Sequence, residues 1–229
     1  MPRQKRKADG DPAEAKSEPK KQKVSKPIVV LGCKNLHANC TGFAFARGYQ
    51  VASDFSGLEA GGTGILYTHG RYREVKDGVY EASKEIIIVW KTIHENFKAD
   101  EFAVFLKDSM HFPQLMNLTL IIHACFSAGA VEKMPTPLDT FASELCVALK
   151  DYDGLKVIGY AGRTSEHNAG APVNFDPPNQ RIRSTRTKAQ VNPYAHENFE
   201  VAYAFDKNQN VVLCKPGPKV QFSNVKKPK

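Results

Sequence analysis

No stretch of the chain reaches the roughly 18 apolar residues that a membrane-spanning helix needs. The N-terminus is charged from Arg3 and has no apolar segment behind it, so no secretory leader is expected. Cysteines are few and odd in number: Cys33, Cys40, Cys125, Cys146 and Cys214 are scattered along the chain. Without a leader, reduced thiols are the expectation, not a disulfide framework. Cys33, His37 and Cys40 fall within eight residues, but the spacing matches no common structural zinc site and no second cysteine pair lies near. No metal and no other cofactor is expected.

Residues 1–27 lack aromatic side chains and almost lack aliphatic ones larger than Ala. They cannot bury enough surface to offset ordering entropy, so a disordered tail is expected. Two basic clusters lie in it, Lys5-Arg6-Lys7 and Lys20-Lys21-Gln22-Lys23, the second preceded by Pro19. They resemble a nuclear-localisation signal, monopartite or bipartite, in which an extended basic peptide lies in an acidic groove. A nuclear import receptor is the expected partner, and the nucleus, with the cytoplasm, the expected location.

The rest of the chain lacks an excess of either charge. Of 32 Lys and Arg, nine lie in 1–27 and three in 226–229; of 24 Asp and Glu, four lie in 1–27 and none in 226–229. That leaves 20 of each sign in 28–225, so the net charge of +8 belongs to the ends. A broad phosphate-binding face needs clustered cations. Nucleic acid is therefore not an expected partner of the folded body. Residues 28–222 are taken as one domain and 223–229 as a short basic tail.

What the body does contain is a set of short apolar runs. Leu118-Thr119-Leu120-Ile121-Ile122-His123-Ala124-Cys125 has no polar alternation and ends in a cysteine followed by Phe126-Ser127-Ala128-Gly129. It has the pattern of a strand buried on both faces, as in a parallel sheet. Gly64-Ile65-Leu66-Tyr67-Thr68-His69-Gly70 ends in the same way, in His-Gly. Two strands thus deliver a His and a Cys to the carboxyl edge of one sheet, where open α/β sheets place their ligands. A nearby imidazole activates a thiol as a nucleophile, and backbone N–H groups beside it can hold an oxyanion. Gly70 has no side chain to cover its own N–H.

Pro27–Gly32 is an expected first strand, and the segment from Gly42 to Gly62 an expected hairpin. The Gly-rich turn Gly61-Gly62-Thr63-Gly64 precedes a strand instead of opening a helix, so it is a plain turn, not a phosphate cradle. From Asp77, a fair N-cap, Val79, Ala82, Ile86, Val89, Trp90, Ile93 and Phe97 recur at helical spacing and predict a largely buried helix. A second short helix is expected over 100–112, ended by Pro113. Thr136-Pro137-Leu138-Asp139 looks like a helix start, with Thr136 as N-cap and Gly154 closing the helix. Leu155–Gly162 is another strand, 162–197 a long polar stretch, and Val201–Phe205 with Val211–Lys215 a terminal β-hairpin. Strands alternating with helices predict an α/β fold with a mainly parallel central sheet flanked by helices.

At Thr68-His69-Gly70 and Leu120–Cys125 the chain resembles the caspase–legumain–gingipain superfamily of cysteine peptidases. The interval of 56 residues from His69 to Cys125 is close to the roughly 50 typical of caspases. Ala124-Cys125-Phe126-Ser127 is similar to the Ala-Cys-x-Ser of legumains, and its Cys-x-Ser part to metacaspases. The resemblance covers about 30–160. It implies a caspase-like sandwich and a peptidase acting on protein or peptide substrates. It implies Cys125 as nucleophile, His69 as general acid and base, and the N–H groups of Gly70 and Cys125 as oxyanion hole. Relatives often carry Asp, Glu or Gln two residues before the cysteine, and that side chain helps shape the primary specificity pocket. This chain has His123 there, so the preference of that pocket is left open. His123, Tyr160 and Arg163 are the candidates for the substrate pocket, Arg163 for reaching a carboxylate. His123, alternating with Cys125 along the strand, is a second candidate base, ranked below His69. Two function classes follow: a nuclear cysteine endopeptidase, or a non-catalytic nuclear interaction protein on the same fold.

Overall fold

The computed structural model describes residues 25–76, 79–129, 138–161, 163–165, 174–176 and 200–216. The two basic clusters, most of 162–197 and the tail 223–229 lie outside these residues. Among the described residues no helix is long and apolar enough to cross a membrane.

The chain opens with β1 (Ile28–Leu31), a 3-10 turn over Lys34–Leu36, α1 (His37–Arg47) and β2 (Gln50–Ala52). β3 (Thr63–Tyr67) follows, then three antiparallel strands, β4 (His69–Lys76), β5 (Val79–Trp90) and β6 (Ile93–Phe97). α2 (Ala99–Asp108) leads to β7 (Thr119–His123), and α3 (Phe141–Ala148) to β8 (Lys156–Tyr160). β9 (Arg163–Ser165) pairs with β10 (Asn174–Asp176), and β11 (Glu200–Phe205) with β12 (Val211–Pro216) as the terminal hairpin. The central sheet has seven strands in the order β12-β11-β8-β7-β3-β1-β2. The strands from β8 to β2 are parallel, β11 runs antiparallel to β8, and β12 antiparallel to β11. This is a mixed α/β fold with a mainly parallel sheet, as the run pattern predicts.

Buried strands explain the uninterrupted apolar runs, because neighbouring residues serve opposite layers. Val29, Ile65 and Tyr67 pack with Cys40, Phe43 and Ala44 of α1 on one face. Val30, Leu66, Leu120, Ile122 and Val157 pack on the other with Phe102 and Leu106 of α2 and Phe141 and Leu145 of α3. The small sheet joins that larger core through Ile86, Ile88 and Phe97.

Four sequence expectations are corrected. The helix predicted over 77–97 is instead the β5–β6 pair. Ile86 and Ile88 are fully buried while Ile87 and Val89 are only partly so, which is a period of two. β-branched Ile86-Ile87-Ile88-Val89 loses side-chain freedom in a helix and packs well on a pleat, and that outweighed the helical spacing. The hairpin expected within 42–62 is instead α1 followed by β2. α1 buries Cys40, Phe43 and Ala44 at helical spacing and stops at Gly48, whose φ of +66° suits a residue without Cβ. The helix after the cysteine begins at Thr140, not Thr136, which with Pro137 lies outside the described residues. Thr140 Oγ1 accepts from Ser143 N at 3.2 Å and Ser143 Oγ from Thr140 N at 3.0 Å, a reciprocal cap. That helix ends at Ala148, short of Gly154, and α2 ends at Asp108, short of Pro113.

Candidate active site

The site is assembled at the carboxyl edge of the parallel strands. From β1 the chain passes through α1 to β2 on one side, and from β3 it moves on to β7 and β8 on the other. The crevice between β1 and β3 is therefore the switch point at which doubly wound sheets bind ligands. Asn35 follows β1 and His69 follows β3, so both stand at that crevice.

The pairing of β3 with β7 carries the geometry forward. Tyr67 is registered with His123, and Thr68 N donates to His123 O at 3.1 Å. Two residues further on, the backbones of Gly70 and Cys125 touch. A Cβ on Gly70 would overlap the Cys125 carbonyl oxygen and lie 3.0 Å from its amide nitrogen. Only glycine fits there. His69 is the first residue of β4, not the last of a buried strand, and its register partner is Ile87.

The turn after Cys125 is tied down on three sides. Ser127 Oγ donates to Ile122 O at 3.0 Å and accepts from Tyr160 N at 2.9 Å. Ala128 N donates to Tyr160 O at 2.9 Å, and Ala142 N of α3 donates to Ser127 O at 2.9 Å. The serine of Cys-x-Ser thus joins β7 to β8 and fixes the turn in which the cysteine sits. Phe126, between them, has φ +56°, a rarely occupied conformation for a bulky residue and a local cost of the kind that collects at functional sites. Gly159 lets this turn close on β8, because a Cβ there would meet Ala128 Cβ at 3.0 Å and Ala142 Cβ at 2.7 Å.

His69 is half-buried, and that desolvation holds its pKa below the ordinary histidine value. Asn35 Nδ2 lies 3.3 Å from His69 Nε2. An amide can donate or accept, so Asn35 can hold the ring in either tautomer. Asn35 was missed from the sequence; its signal is its place after β1, at the switch point. Beneath, a second network fixes the strand junction. The Cys33 thiol donates to Ile87 O at 2.9 Å and Thr68 Oγ1 to Cys33 Sγ at 3.2 Å; Thr68 Oγ1 also bonds Ile87 O. Cys33 and Cys40 are both buried packing residues, and among the described residues no group of three or more His, Cys, Asp and Glu could hold a metal ion.

His123 and Tyr160 are brought together, but inside the protein, each only 2 % exposed. The His123 ring stacks on Tyr67 (centroids 4.3 Å apart, 9° between planes) and neighbours Phe43 at 4.9 Å and Tyr160 at 5.5 Å. Burial drives the His123 pKa down to about 3, with the Arg47 charge pushing the same way. Burial likewise raises Tyr160, whose hydroxyl donates to Glu200 Oε1 at 3.4 Å. The backbone of Arg163 lies in β9, opposite Asp176. Cys146 is buried in α3, and burial pushes its thiol up to about 12. No family model and no curated protein matches the chain. The functional reading therefore stands on the residues and their geometry.

Proposed function

We propose that the protein is a cysteine endopeptidase on a caspase-like sandwich, with Cys125 as nucleophile and His69 as general acid and base. The observation that carries this is the contact of the Gly70 backbone with that of Cys125. It sets a His-Gly and a cysteine side by side at the edge where such sheets bind ligands. The Cys125 proton passes to His69 as Sγ attacks the peptide carbonyl carbon. The oxyanion is held by the N–H groups of Gly70 and Cys125. His69 gives the proton to the leaving amine, and the C–N bond breaks to leave a thioester. Water, deprotonated by His69, then attacks the thioester, and Cys125 recovers its proton. Asn35 steers the imidazole throughout.

A cleavage screen over a peptide library, run on the full chain and on Cys125→Ala, tests this reading. Cleavage by the first and none by the second is expected; equal rates refute it. If nothing is cleaved and the thiol is ordinary, the fold serves as an interaction module. The nuclear location rests on the two basic clusters of 1–27. Deleting 1–26 should move a fusion too large for passive entry out of the nucleus.

A further inference from the structure

We infer that the pocket between the 3-10 turn and the β5–β6 turn is a subsite for an acidic side chain in the leaving-group half of a peptide substrate, an inference that rests on the peptidase reading. The pocket has a volume of about 530 Å³. Lys34 and Asn35 form one wall, and Val89, Lys91, Ile93 and His94 the other. No acid lines it. Lys34 and Lys91 are exposed, and neither takes part in an ion pair among the described residues. The body as a whole is charge-balanced, so two cations with no acid among the lining residues make a local positive surplus. Lys91 Nζ sits 3.9 Å over the Trp90 ring, a cation–π contact that favours this position of the ammonium.

The walls are joined. Val89 N donates to Gly32 O at 2.7 Å, and Cys33 bridges Val89 in parallel register. Asn35 connects the pocket to the candidate active site, since it lines the pocket and lies 3.3 Å from His69. Direction follows from the chemistry. His69 delivers its proton to the leaving nitrogen, so residues C-terminal to the scissile bond pass on the His69 side. A carboxylate in that half of the substrate meets Lys34 and Lys91.

The test uses peptide pairs that differ only in Glu or Gln at each of the first few positions after the scissile bond. On the full chain, kcat/KM is expected to favour Glu by roughly fivefold at one position, the scale of two partly exposed ion pairs. Lys34→Glu/Lys91→Glu is expected to reverse the preference, favouring Gln over Glu there. Cleavage without any Glu preference overturns the inference and leaves the peptidase reading intact. Binding of the same peptides to Cys125→Ala, followed by fluorescence anisotropy, gives a readout that needs no turnover. A Glu advantage lost in the added double change supports the pocket even if nothing is cleaved; equal affinities overturn it. A single-stranded oligonucleotide whose binding falls with the double change, while that of the peptides does not, also overturns it.

Discussion

His69 comes two residues after the end of β3 and His123 is the last residue of the adjacent β7, yet their surroundings differ completely. His69 is half-exposed, touched by the Asn35 amide and next to the Gly70–Cys125 contact. His123 is sealed between Tyr67, Phe43 and Tyr160. Desolvation lowers both, but His123 falls to about 3 while His69 keeps access to solvent. Burial depth, not distance along the chain from Cys125, separates the proposed base from a core residue here. A ring that resists protonation until about pH 3 cannot shuttle protons near neutrality.

The largest expected effects fall on the His69 side. His69→Ala should lower kcat/KM by about 100-fold or more, the usual scale for a positioned acid–base group. Its thermal midpoint should barely move. His123→Ala should do the reverse, costing about 2–4 kcal/mol of stability as a large buried ring is deleted. Equal losses of activity with unchanged stability in both variants would break the contrast. The acid limb of kcat/KM should lie below pH ~6.5, because burial disfavours the His69 cation. A limb above that value would remove His69 from the role.

Stability against pH sharpens the same contrast. The unfolded chain protonates His123 near pH ~6.5, whereas the folded protein does so only at about pH 3. Between those values the unfolded state binds the extra proton, so stability is lost as pH falls. The slope expected from this one group is about 1.4 kcal/mol per pH unit. In His123→Phe, denaturant unfolding between pH 6.5 and 5 should show a flatter slope. An unchanged slope would mean that His123 is not sealed.

Smaller effects belong to the supporting residues. Ser127→Ala leaves Tyr160 N and Ile122 O without their side-chain partner and should cost about 2 kcal/mol. Calorimetry would show this as a lower thermal midpoint. Asn35→Ala should reduce kcat/KM by less than about tenfold, the worth of one hydrogen bond, and should leave the midpoint unchanged. A fall in the midpoint would make Asn35 structural instead.

The strands that bury both faces were legible, because Ile28–Leu31, Gly64–Tyr67, Leu118–His123 and Leu155–Tyr160 are short, predominantly apolar runs without polar alternation. So was the terminal hairpin, where Asp206–Asn210 separates two apolar runs. The small sheet was not: Val79, Ile86, Val89, Ile93 and Phe97 satisfy a helical spacing by coincidence, and the β-branched run Ile86–Val89 with the pairing of β5 to β4 and β6 decides otherwise. α1 was hidden by Gly42 and Thr41, weak helix formers inside a segment that packing makes helical. In the candidate site, the approach of His69-Gly70 to Cys125 was foreseeable from two strand ends at one sheet edge. The burial of His123 and the Asn35 contact were not. They depend on α1 and on the 3-10 turn, neither of which announces itself in the sequence.

Cysteine alkylation tests the central claim most directly. Cys214 is the exposed thiol and Cys125 only partly so. Exposure alone would make Cys214 react first. Site-resolved iodoacetamide labelling at mildly acidic pH should instead modify Cys125 roughly tenfold faster or more, and His69→Ala should remove that advantage. Labelling led by Cys214, with Cys125 indifferent to His69, would contradict the proposed dyad.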